Sequence, residues 1–117
     1  MYAFYGSLRQ GMINHEPFSH GLEYLFTETL PGFRLHAMRR YPYAVKTNVP
    51  GEVIVVEVFR VTDPSVERAI HDLEIGVGYT YSEVEIRGMR TGIYLFESHG
   101  PEPSVKGGDW VKFFGSR

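Results

Sequence analysis

The chain has no cysteine, which excludes disulfide bonds, thiol catalysis and cysteine-ligated zinc while fitting either a cytosolic or an exported protein. It also lacks an excess of one charge. Twelve Lys and Arg stand against fourteen Asp and Glu, for a formal net charge of -2. No long-range field advertises nucleic acid or an anionic membrane, so the expected partner is small or uncharged. No apolar run approaches a membrane span. A secretory leader is not expected either, because the apolar start at Tyr2 to Phe4 is short and leads straight into Gly6 and Arg9. The expected location is therefore the cytoplasm. Internal repeats, low-complexity tracts and linkers are missing as well. What is present suits a single domain over residues 1–117. It is 43% hydrophobic and 15% aromatic, enough to bury a core without a covalent staple.

In "MYAFYGSLRQG" the large residues Tyr2 and Phe4 alternate with smaller neighbours, which predicts a strand that Gly6 ends. A glycine there permits unusual backbone angles or lets another group approach the main chain; the competing reading is an ordinary strand-ending turn. "NHEPFSHG" reads as irregular, with Pro17 and Gly21 limiting any helix to about one or two turns. "LEYLFTETL" reads as a strand, Pro31-Gly32 as a type II turn and "FRLHAM" as the returning strand. A short extended piece at 43–46 leads through Pro50-Gly51 to residues 52–59, whose apolar side chains on both parities predict a central strand.

"TDPSVERAIHDLE" predicts a helix. Asp63 can cap it, Pro64 suits its first position, and Val66, Ala69, Ile70 and Leu73 recur at helical spacing, with Gly76 and Gly78 as the stop. "YTYSEVEIRGMRTGIYLFES" predicts a hairpin, and "GPEPSVKGGDWVKFF" a loop with a short last strand around Trp110. The sum, about seven short strands and one main helix, predicts an α+β fold on a curled or closed sheet.

Glu74 is the first candidate for chemistry. On a helical projection it borders the Val66, Ile70, Leu73 stripe, in the last turn. Partial burial and the negative end of the helix dipole both disfavour ionisation there. A carboxyl raised toward neutrality in this way can accept and return a proton near pH 7. The competing reading is a glutamate pointing to water at the helix end. The histidines at 15, 20, 36, 71 and 99 show no metal-binding spacing. Ser7 does not stand in a nucleophile elbow, because Tyr5 and Arg9 occupy the places that need glycine. Gly6 is not followed by the glycine and lysine of a phosphate-binding loop, and Arg39-Arg40 is too small a patch for nucleic acid.

Tyr5-Gly6-Ser7-Leu8, the Asn14-His15 pair, "LPGFRL", "YPYAV", "GEV", "AIHDLE" followed by "YTYSEVEI", and finally "GGDW" occur in an order that resembles the gamma-glutamylcyclotransferase-like family. The likeness spans nearly the whole chain and is nearest to the small bacterial members and the gamma-glutamylamine branch. It implies a small mixed β-barrel with one main helix, short peripheral helical turns and a cavity near one end. It further implies that Glu74 is the acid/base, that the amides of Gly6, Ser7 and Leu8 cradle the substrate's α-carboxylate beside Tyr5, and that Tyr81 orients the substrate. Tyr79 is close enough in register to compete with Tyr81 for that role, and Tyr94 would be a second wall.

Cradling an anion on successive turn amides is physically sound. Two departures stand out: Ile75 replaces the family's usual glycine after the glutamate, and His71 takes the usual aspartate position. A β-branched residue resists a positive φ, so the backbone after Glu74 is expected to run differently.

The implied activity is a cyclotransferase without metal or cofactor. The α-amine of a small γ-glutamyl substrate attacks its own γ-carbonyl, and 5-oxoproline and an amine or amino acid leave. Such a C–N cleavage by cyclisation combines lyase and acyltransferase character. The alternatives are a non-catalytic barrel that binds a γ-glutamyl compound and an interaction module that docks a protein through its aromatic hairpin. The segment 14–20 and the loop 98–108 are the expected gates for the leaving group.

Overall fold

The computed structural model describes residues 1–115. In chain order these form β1 (Tyr2–Phe4), a 3₁₀ helix (Glu16–Gly21), β2 (Leu22–Pro31), β3 (Phe33–Ala37), β4 (Pro42–Lys46) and β5 (Val53–Val61). There follow α1 (Pro64–Val77), β6 (Thr80–Ile86), β7 (Met89–Leu95) and α2 (Trp110–Gly115). One sheet has the order β2-β5-β1-β7-β6, and β3 pairs with β4 in a second, two-stranded sheet. The fold is α+β.

β5 lies antiparallel to both β2 and β1, whereas β1 runs parallel to β7. As the sequence predicts, β5 is buried on both faces: Ile54, Val56 and Val58 have no exposure and Phe59 almost none. β6 and β7 form the expected hairpin, turning on Arg87 and Gly88, both with positive φ.

Three expectations about the sheet and its strands change. The ladders leave β2 and β6 as edges, so hydrogen bonds do not close the sheet into a barrel. The segment after Pro31-Gly32 does not return along β2. Gly32, at φ 89, turns the chain off the main sheet, and Phe33–Ala37 pairs with β4 instead. Finally, Trp110 begins a helix rather than a strand. Asp109 caps it, its carboxylate accepting from the Lys112 N–H at 3.2 Å and its carbonyl from the Phe113 N–H at 3.0 Å. The rings of Phe113 and Phe114 then fall on Trp110 at the three- and four-residue spacing of a helix.

α1 starts as predicted, with the Asp63 side chain accepting from the Ser65 N–H and Pro64 in the first turn. It passes straight through Gly76 and stops only at Gly78. There φ is 117, and the N–H groups of Gly78 and Tyr79 both return to the Glu74 carbonyl. Val66 and Ile70 are its buried face, and Gly21 has to lack a side chain because a Cβ would lie 2.6 Å from Val66.

Candidate active site

In the turn after β1, residues 5–8, the carbonyls of Gly6, Ser7 and Leu8 are committed to the protein. The Arg9 N–H donates to the Gly6 carbonyl at 3.0 Å and the Asn14 N–H to the Ser7 carbonyl at 3.0 Å. The Leu8 carbonyl meets His15 Nδ1 at 2.9 Å, and Asn14 Nδ2 also donates to Ser7 Oγ. Among the described residues, no hydrogen bond uses the N–H of Gly6, Ser7 or Leu8. Three successive donors are thus left over in a turn, which is how backbone forms an anion-binding concavity. Gly6 does not use a positive φ. Its role is to admit the Pro42 ring, whose Cγ and Cδ lie 2.8 Å from where a Cβ would stand.

These residues form one wall of a recess of about 70 Å³. Pro42 and Tyr94 form others, and the last turns of α1 contribute Leu73, Glu74 and Val77. Burial raises the Glu74 carboxyl from its ordinary 4.5 to about 7. Ile75 leaves this arrangement undisturbed: the helix is regular through Val77, so the positive φ comes three residues later, at Gly78.

The tyrosines divide by what their hydroxyls do. Tyr5 is buried; its hydroxyl donates to the Tyr94 carbonyl at 2.6 Å and accepts from the Ala44 N–H at 3.1 Å, which ties the end of β1 to β7 and β4. The Tyr79 hydroxyl donates to the Pro42 carbonyl. The Tyr94 hydroxyl shares a 2.9 Å hydrogen bond with His71 Nδ1. Burial first, with Glu74's charge contributing, pushes all three phenols above their ordinary pKa, so they stay protonated.

Of the residues singled out in the sequence, Tyr5, Gly6, Ser7, Leu8, Glu74 and Tyr94 line the recess together, and Tyr79 joins them. Tyr81 does not line it. Its hydroxyl donates to Glu83, it is substantially exposed, and its ring packs edge-on to Tyr94 from outside. The loop 98–108 does not reach the recess either. No group of three or more His, Asp or Glu side chains among the described residues is disposed to hold a metal ion, and no helix there is long and apolar enough to cross a membrane.

A family model described as "Gamma-glutamyl cyclotransferase, AIG2-like" matches residues 2–112. The chain belongs to this family. A Pyrococcus horikoshii protein named "Putative gamma-glutamylcyclotransferase PH0828" is 32% identical over 108 residues, covering 92% of this chain and 88% of the relative. Its crystal structure superposes with a TM-score of 0.82 at 29% identity, covering 98% and 92% of the two chains. The uropathogenic E. coli-specific protein c4763 shares the fold at a TM-score of 0.81, with 17% identity and 99% and 95% coverage. Membership in the gamma-glutamyl cyclotransferase family implies a small-molecule γ-glutamyl substrate.

Sequence reasoning missed the support of the turn. Arg9 is buried, its Nε donating to Glu57 at 2.8 Å and its Nη1 to Asp109 at 2.9 Å, while the Gln10 N–H donates to the other Glu57 oxygen. The signal was available: an acidic residue inside "VIVVEVF", a strand apolar on both faces, requires a buried cationic or amide partner.

Proposed function

We propose that the chain is a gamma-glutamyl cyclotransferase in which Glu74 is the general acid/base. The substrate's α-carboxylate rests on the N–H groups of Gly6, Ser7 and Leu8, which brings its α-ammonium to the Glu74 side of the recess. Glu74 takes a proton from the ammonium. The freed amine attacks the γ-carbonyl carbon, a C–N bond closes the five-membered lactam, and the original amide C–N bond breaks. Glu74 returns its proton to the departing nitrogen, and the second proton, which the ring nitrogen sheds on becoming the lactam N–H, follows by the same route, so that the leaving group departs as an ammonium. Products are 5-oxoproline and an amine or amino acid, and the steps balance between substrate and Glu74. Nucleophile and electrophile belong to one molecule, so holding its geometry supplies much of the rate.

One observation carries this reading: a carboxyl raised to about 7 opens on the same recess as three backbone donors that the protein does not use. A group poised near the working pH is the efficient proton carrier. The test is 5-oxoproline release from γ-glutamyl amino acids and γ-glutamyl amines. The wild type turns over at least one class, and Glu74→Gln lowers that turnover by about two to four orders of magnitude. Near-normal turnover by Glu74→Gln removes Glu74 from the mechanism.

A further inference from the structure

The recess is too small to hold a whole γ-glutamyl amide. At about 70 Å³ it falls well short of the several hundred Å³ typical of small-molecule sites, so the leaving group has to lie elsewhere. A second, larger groove of about 290 Å³ adjoins it, lined by Ser7, Gly11, Met12, Ile13, Arg40, Trp110 and Phe114. The two share Ser7, and their walls are consecutive in sequence. Asn14 and Tyr41 face the recess where Ile13 and Arg40 face the groove.

The groove is apolar where it meets solvent. Ile13 is 75% exposed and Phe114 40%, around the buried Trp110. Arg40 is its one cationic side chain, is exposed, and makes no ion pair among the described residues. Its guanidinium is suited to a carboxylate. We infer that this groove is the leaving-group subsite and that it selects α-amino acids with a large apolar side chain, whose free carboxylate is met by Arg40. The inference rests on the cyclotransferase reading, which places the acyl half of the substrate in the recess. The scissile amide then lies at Ser7, where the two spaces join.

The experiment compares γ-glutamyl-glycine, γ-glutamyl-phenylalanine and γ-glutamyl-phenethylamine, followed as 5-oxoproline, in the wild-type chain, Ile13→Ser and Arg40→Ala. Both side chains are exposed, so these changes leave the fold intact. The expected kcat/KM for the phenylalanine compound exceeds that for the glycine compound by about tenfold or more, and Ile13→Ser reduces this ratio. The carboxylate-free phenethylamine compound falls below the phenylalanine compound by about two- to fivefold, and Arg40→Ala abolishes that difference. Turnover with a phenylalanine-to-glycine ratio near one, or a ratio that Ile13→Ser leaves unchanged, overturns the subsite while the cyclotransferase stands. If none of the three releases 5-oxoproline, the cyclotransferase reading fails, and calorimetric titration of the same compounds decides the groove. Tighter binding of the phenylalanine compound that Ile13→Ser weakens supports the groove, and equal or absent binding overturns it.

Discussion

In the proposed mechanism the proton that Glu74 carries also bears on stability. Its folded pKa, about 7, lies above the ordinary 4.5, so between those values the native state keeps a proton that the unfolded chain has lost. The stabilising effect is fully present below about pH 4.5 and is lost as the pH rises through 7. Glu74→Gln has no such loss. Relative to wild type it should gain stability across that window, reaching roughly 3 kcal/mol above pH 7, as read from urea denaturation at several pH values. Activity runs the other way. The proposed step needs the carboxylate, so kcat/KM for a γ-glutamyl substrate should climb with pH along a limb centred near 7, and a pH profile flat from 5 to 8 contradicts the assignment. Gly6 is constrained by contact rather than by torsion. Gly6→Ala drives a Cβ to within 2.8 Å of Pro42, and we expect a loss of about 1–3 kcal/mol together with lowered turnover, because the donors of the turn shift with it.

At the scale of elements, the ends decide the site. α1 presents Glu74 to the recess, and because it continues through Gly76 and reverses at Gly78, Tyr79 lines the recess as well. Reading Gly76 as a stop shortens the helix because glycine's low propensity is a local cost that tertiary packing overrides. The same holds for "DWVKFF", whose aromatic residues suit a strand until Asp109 caps the segment. That cap depends on the preceding glycine. Gly108 has φ +66, and a Cβ there would stand 1.9 Å from the Val53 carbonyl oxygen. Its own carbonyl accepts from the Val55 N–H. Gly108→Ala should therefore cost more than about 3 kcal/mol in thermal or chemical unfolding, and a loss below about 1 kcal/mol would show that this join yields easily.

At the scale of the whole molecule, the Arg9, Glu57 and Asp109 cluster connects the turn after β1, the central strand β5 and the cap of α2. Arg9 and Glu57 are both buried. Removing Arg9 leaves an uncompensated carboxylate in the interior, so Arg9→Met should destabilise the fold by about 3–5 kcal/mol. Arg9→Met with Glu57→Gln, which keeps an acceptor for the Gln10 N–H and removes the charge, should recover at least half of that loss in urea denaturation. If the double variant is no better than the single one, the cost lies in the lost packing of the arginine stem.

The sequence by itself determined the local matters: the strand at Tyr2–Phe4, the capped start of α1, the hairpin of β6 and β7, the double burial of β5, and Glu74 at the edge of an apolar stripe. Each is set by side-chain periodicity or by a residue whose backbone preference acts within a few positions. Only the tertiary structure decided that the sheet stays open, that Phe33–Ala37 pairs with β4, that Tyr79 lines the recess while Tyr81 lies outside it, and that Arg9 holds the turn. Those outcomes depend on contacts between residues far apart in the chain, such as Arg9 with Glu57 and Asp109 or Gly6 with Pro42. No local pattern encodes such contacts, because the energy that selects them exists only once both partners are buried together.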